Sequence, residues 1–281
     1  MREIDVKEVA RAVEELCIEA CYDLPEDVLA ALEAAREAEE SEVGREILDI
    51  CIENARVARE QRVPICQDTG VTVVYLEVGQ DVHLTGGDVF EAVTEGVRRG
   101  YDRGYLRKSV VDDPLFTRKN TGDNTPPIVY TDIVPGDRLK VTVVPKGTGS
   151  ENMSALKMLT PAAGVEGVKR FIVETVDRAG SNPCPPVIVG VGVGGMMDKA
   201  AYLAKKALVR PVGRPHPQPE VARLERETLE EINKLGIGPQ GLGGRTTALA
   251  VHIETHPTHI GALPVAVNIQ CHAARHAERV L

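Results

Sequence analysis

Apolar positions recur at helical spacing over residues 5–22, where Val6, Val9, Val13, Leu16, Cys17 and Ala20 fall on one side. Pro25 then sits in the first turn of a second predicted helix, PEDVLAALEAAREAEES. A third helix is predicted over 41–60, with Ile47, Leu48, Cys51 and Ile52 on its apolar side. From VPICQDTG (63–70) the pattern changes. Strands are predicted at VTVVYLEVG (71–79), IVYTDIV (128–134), RLKVTVVP (138–145), PPVIVGVGVGG (185–195), TALAVHIET and LPVAVNIQC. Helices are predicted at 88–106, from the glycine loop KGTGSENMSALKML (146–159), at 164–180, from MMDKAAYLAKKAL, at EVARLERETLEEINKLG, and briefly from His272. The order implies an α/β mixed (α+β) fold. It forms a single domain over 1–281, with a helical section at 1–60 and an α/β section at 61–281. No internal repeat is visible.

Charge and composition narrow the classes. The 281 residues carry 42 acidic and 33 basic side chains, a net charge of −9, so a chain-wide nucleic-acid footprint is not expected. With no Trp and three Phe, platforms for stacking bases or sugars are poorly supplied. No apolar run approaches the roughly 18 residues of a membrane span. The N-terminus lacks the apolar stretch of a signal peptide, and the cytoplasm is the expected location. An acidic chain that binds an anion must gather positive charge locally.

The six cysteines divide by position. Cys17, Cys21 and Cys51 lie on apolar helix faces and read as small core hydrophobes. Cys66, Cys184 and Cys271 lie at element junctions, where α/β sheets place ligand sites and where a helix start would favour the thiolate. They are either three unrelated loop cysteines or a shared metal site. Three thiolates are one short of a closed set, so a [4Fe–4S] cluster held by them would keep one iron open as a Lewis acid. A zinc site built from Cys271 and the tail histidines is the competing arrangement, weakened by Pro257 between His256 and His259.

Two glycine loops invite comparison with nucleotide sites. KGTGSENMS is the better anion loop, with Gly147 and Gly149 allowing close backbone approach and Lys146 adding charge, but it is not a Walker A loop. Gly190, Gly192 and Gly195 satisfy G-x-G-x-x-G, yet no acidic strand end follows about twenty residues on, so tight strand–helix packing is the better reading. Arg103, Arg107, Lys108, Arg118 and Lys119 could clamp a dianion.

PICQDTG, LRKSVV, RKNTGDNTPP, KGTGSENMS, NPCPPVIVGVGVGG and HIGALPVAVNIQC together resemble the α subunit of class I, iron–sulfur-dependent fumarate hydratases, and equally that of L-tartrate dehydratase. The resemblance implies a [4Fe–4S] cluster with one labile iron on Cys66, Cys184 and Cys271. It implies substrate contacts from Gln67, Arg107 and Gly149, with Asp68 and His259 as catalytic groups. It implies fumarate hydration as the first activity and tartrate dehydration as the alternative. It also implies a small dicarboxylate substrate, a separate β subunit supplying the remainder of the site, and a dimer of α–β units, with no nucleic acid or membrane partner. A non-catalytic iron–sulfur sensor is the rival from another class.

Overall fold

Asp5 ends a short strand and caps the helix that follows, accepting from Lys7 N at 2.9 Å. In chain order the elements are β1 (Arg2–Asp5), α1 (Val6–Tyr22), α2 (Glu26–Ala38), α3 (Glu42–Gln61), β2 (Val71–Gly79), β3 (Val82–Thr85), α4 (Val89–Arg103), β4 (Ile128–Val134) and β5 (Leu139–Lys146). They continue with α5 (Thr148–Glu151), β6 (Ala155–Leu159), α6 (Gly164–Ala179), β7 (Val187–Gly194), α7 (Met197–Ala207), α8 (Pro219–Asn233), β8 (Ala248–His256), β9 (Leu263–Gln270) and β10 (Ala277–Val280). This computed structural model describes residues 2–281. The chain forms two units: Met1–Pro25, Asn54–Thr148 and Arg275–Leu281 in the first, and Glu26–Glu53 and Gly149–Ala274 in the second. The fold is mixed α/β, as expected. No helix among the described residues is long and apolar enough to cross a membrane.

The first unit is built on a sheet of order β10-β5-β2-β4, with β2 parallel to β4 and antiparallel to β5. Val74, Leu76, Val141 and Val143 of this sheet share a core with Val9, Val13, Leu16 and Cys17 of α1 and with Val93, Val97 and Tyr101 of α4. The two helices approach closely because α4 turns glycines toward α1. A Cβ at Gly96 would stand 2.5 Å from Ala10 O, and one at Gly100 2.8 Å from Cys17 Cβ.

The second unit has a sheet of order β6-β9-β7-β8, with β7 parallel to β8 and antiparallel to β9. Val189, Val191, Ile253, Val267 and Ile269 pack with Phe171, Ile172 and Val176 of α6 and Ile232 of α8. Strand β7 packs against α7 through its glycines. A Cβ at Gly190 would lie 2.2 Å from Ala204 O, and one at Gly192 2.0 Å from Ala200 O. Packing therefore accounts for the G-x-G-x-x-G match.

Two expected helices are absent. The segment after KGTGSE makes only the four-residue α5, and Ala155–Leu159 instead pairs antiparallel with β9. Likewise Ala277–Val280 forms β10 on the edge of β5 rather than a helix from His272. Both are short segments whose helical pattern yields to an open sheet edge. Strands β1 and β3, which pair in parallel, were not legible in the pattern.

Candidate active site

In the second unit, Cys184 precedes β7 and Cys271 follows β9, its antiparallel neighbour, so both fall at one end of the sheet. Cys184 is exposed and left-handed, with φ of 55°, an unusual state for a residue with a Cβ. Its carbonyl accepts from His272 N at 3.3 Å, which ties the two cysteine segments together. Gln240 adds a second tie. Its backbone N and its Nε2 both donate to Pro185 O, at 2.7 and 2.8 Å, and its Nε2 lies 3.0 Å from His272 Nδ1. Helix α5 sits at the same end. Ser150 Oγ lies 3.4 Å from Gln270 Oε1, Glu151 receives Lys205 Nζ at 2.6 Å and Asn268 Nδ2 at 2.8 Å, and Gly149 is exposed. A Cβ at Gly149 would meet only Asn182 O, at 3.7 Å, so room lies open over this turn.

In the first unit, Cys66, Gln67 and Asp68 form the loop into β2. Cys66 is half-buried and Gln67 exposed. Asp68 Oδ1 accepts from Gly70 N at 3.0 Å, and Oδ2 from Thr148 N at 2.8 Å. The loop rests on Arg275, whose buried guanidinium donates to Asp68 O and, at 3.4 Å, to Pro145 O. Arg107 is brought to the same loop through its backbone, since Thr69 Oγ1 donates to Arg107 O at 2.8 Å. Asn124, wholly buried and left-handed at φ of 62°, locks this arrangement. Its Oδ1 accepts from Ser109 N at 2.7 Å and Val110 N at 3.2 Å, and its Nδ2 donates to Gly70 O at 3.1 Å.

The candidate cations separate clearly. Arg103 pairs with Glu14, Lys108 with Asp102, and Arg118 donates to Pro114 O. Among the described residues, Arg107 and Lys119 keep side-chain charges that no neighbour accepts. Lys146 does not join them. It is buried in β5 with its ammonium on Gly147 O at 3.1 Å, where it braces the turn.

The two cysteine sets differ as the sequence implied. Cys17, Cys21 and Cys51 are buried, and burial pushes the thiols of Cys21 and Cys51 up to about 11. Cys66, Cys184 and Cys271 are exposed or half-buried, and no disulfide joins any of the six. Within each unit, no three His, Cys, Asp or Glu side chains of the described residues are gathered as a metal site. The donor chemistry nonetheless suits an open, thiolate-held group. Accessible thiols stand on braced loops, and buried Arg275 holds the carbonyl of Asp68, two residues after Cys66.

His259 departs from expectation. It lies in the exposed β8–β9 turn, beside the ends of β7 and β8, whereas Cys184 and Cys271 lie at the other end. The length of β9 separates them by about 25 Å. Within this unit His259 therefore cannot reach a ligand held by these two cysteines, and the same distance removes the zinc grouping of Cys271 with His256 and His259. Cys271 also does not open a helix. Asn124, Gln240 and Arg275 escaped the sequence reading. Asn124 lay in a motif noted only for its polarity, and nothing local marks Gln240 or Arg275.

Residues 10–280 match the family described as Fumarate hydratase (Fumerase). A protein of Methanocaldococcus jannaschii named "Putative L(+)-tartrate dehydratase subunit alpha" is 47% identical over 274 residues, covering 96% of each chain. The L(+)-tartrate dehydratase subunit alpha of Escherichia coli K12 is 36% identical over 254 residues, covering 90% of this chain and 84% of its own. With residues 10–280 of its 281 matched, the chain belongs to the fumarate hydratase (Fumerase) family.

Proposed function

We propose that this chain is the α subunit of a hydro-lyase that reversibly removes water from a four-carbon hydroxydicarboxylate, with a [4Fe–4S] cluster on Cys66, Cys184 and Cys271. The observation that carries the reading is the pair of accessible thiols, Cys184 and Cys271, braced at one sheet end in a member of this family. The family description names fumarate, and the relatives' names weigh toward L(+)-tartrate. The two dehydration substrates, L-malate and L(+)-tartrate, differ by one hydroxyl.

When bound, a cluster held by three thiolates offers one open iron to polarise the departing hydroxyl. The chain's own residues do the rest of their part. Arg107, with no acid of its own to satisfy, grips a substrate carboxylate through two parallel N–H groups. The open backbone at Gly149 lets the second carboxylate approach without a side chain in the way. Gln67, exposed beside Cys66, donates to the hydroxyl-bearing end. Asp68 holds the Gly70 and Thr148 amides with its two oxygens. In the hydration direction a remaining lone pair takes the proton of the attacking water, which goes back to the hydroxyl as it leaves in dehydration. The base for the carbon-bound proton comes from a separate β subunit, and the working particle is a dimer of α–β units.

The test is anaerobic reconstitution with iron and sulfide, mixing with the β chain, and assay on L-malate for fumarate and on L(+)-tartrate for oxaloacetate. Turnover of either substrate supports the reading and names the substrate. A chain that takes up zinc and no iron, or a loaded pair inert on both, overturns it. The mass of the purified complex reports its assembly.

A further inference from the structure

Gln240 occupies a place that the proposed chemistry leaves unused. It stands in a loop between α8 and β8, far in sequence from either cysteine, with a left-handed φ of 51°. That strain holds the amide where it can serve both thiol-bearing segments. The Pro185 carbonyl, directly after Cys184, receives two donors from this one residue, at 2.7 and 2.8 Å. The same Nε2 carries a second proton and faces His272 Nδ1, directly after Cys271, at 3.0 Å. The loop is itself anchored. Gly238 N donates to Thr247 Oγ1, and a few residues on, buried Glu39 accepts from Arg245 N and Thr246 N at 2.8 and 2.9 Å. A Cβ at Gly244 would press on the Glu39 carboxylate, so the loop has little room to move away.

We infer that Gln240 is a positioning residue that sets the spacing of Cys184 and Cys271 for their shared group. The inference rests on the cluster reading above. Ligands fixed by partners outside the coordination sphere hold metal more tightly, by 10- to 100-fold in typical cases. Here one amide acts on two ligand segments at once. The direct links from His272 to Cys184 O, through N at 3.3 Å and Nδ1 at 3.2 Å, are both long. An Nδ1 that accepts from Gln240 Nε2 has no proton to give Cys184 O, so the Gln240 bridge then adds the tie that the imidazole does not make.

Two variants test this on the full chain. Gln240→Gly keeps the left-handed backbone and deletes the amide. Gln240→Glu keeps the shape and replaces the donor with an acceptor facing the Pro185 carbonyl. Each is reconstituted anaerobically with iron and sulfide, assayed for both elements per chain, and bleached with a ferrous-iron chelator. Both variants should lose the cluster on the order of tenfold faster than the wild type, while the melting of the cluster-free chains stays close to wild type. Equal bleaching in wild type and Gln240→Glu overturns the inference and leaves the cluster reading intact. A large fall in cluster-free melting, with bleaching unchanged, assigns Gln240 to the fold alone and also overturns it. A wild-type chain that takes up no iron and sulfide fails the cluster reading first, and the inference with it.

Discussion

The two units arrive at one sheet plan by different sequences. In the first, β2 runs parallel to β4, and the chain then turns back on the other side of β2 as antiparallel β5. In the second, β7 runs parallel to β8, and the chain turns back as antiparallel β9. A fourth strand completes each sheet beside the returning one, β10 in the first and β6 in the second. The functional loops obey the same plan. Cys66 and Cys184 each precede the central strand, and the KGTGSE turn and Cys271 each follow the strand that returns beside it. Each loop cluster is braced by a left-handed amide residue in the segment entering the parallel partner strand, Asn124 in one and Gln240 in the other. The difference is chemical. The first unit holds a cation and a carboxylate beside its thiol, and the second holds two thiols and an open turn.

Breaking the proposed ligands has the largest expected effect. Cys66→Ser, Cys184→Ser and Cys271→Ser should each abolish stable iron and sulfide after anaerobic reconstitution, whichever unit the thiol comes from. Cys17→Ala and Cys51→Ala should keep full content. Normal cluster content in any of the three serine variants removes that residue from the ligand set. Next in size is Arg107→Met. Losing one member of a buried charge pair costs a few kcal/mol, so kcat/KM of the reconstituted pair should fall by about a hundredfold or more. The iron content should not change. Unaltered kinetics would place substrate recognition elsewhere.

Acid should separate the units by a comparable amount. Burial, and then the Arg210 charge, hold His252 of the second unit at a pKa of about 4, below its ordinary 6.5. The folded state resists the proton that the unfolded state takes up. His252 thus contributes fully above pH 6.5, and loses that contribution as pH falls toward 4. The shift is worth about 3 kcal/mol. Urea midpoints from pH 7 to 4 should fall more steeply in the wild type than in His252→Gln, and parallel slopes would exclude this origin of acid sensitivity. Smaller again is Asn124→Ala in the first unit. It strands buried backbone groups and should cost about 2 kcal/mol, read from denaturant midpoints, with KM raised because the Arg107 loop loosens. A raised KM without lost stability would show that Asn124 acts on the loop and not on the fold.

The strands were legible where they were long, at the centre of a sheet or at its edge. IVYTDIV became β4 with the same bounds, and β2, β7, β8 and β9 were found because their buried positions are mostly apolar and rich in Val and Ile. The three core cysteines were legible for a related reason, since each sits at helical spacing among apolar neighbours. What failed was short and edge-bound. Ala155–Leu159 and Ala277–Val280 carry little pattern of their own and take their state from the strand they meet. The burial of Lys146 was not legible, because spacing cannot tell a lysine in solvent from one whose ammonium braces a turn.

The amino-acid order alone thus determined which residue types stand at which junctions: three thiols outside the core, an Arg–Lys pair in LRKS, and glycines wherever backbone must approach backbone. Those are local facts, dictated by burial pattern and conformational freedom. Tertiary structure alone decided which junctions share a sheet end. It set His259 about 25 Å from the thiols of its own unit, left Arg107 without an ion-pair partner among the described residues, and recruited Asn124, Gln240 and Arg275 as braces. Strand direction and register are set by pairing between segments distant in sequence, and no local pattern encodes them.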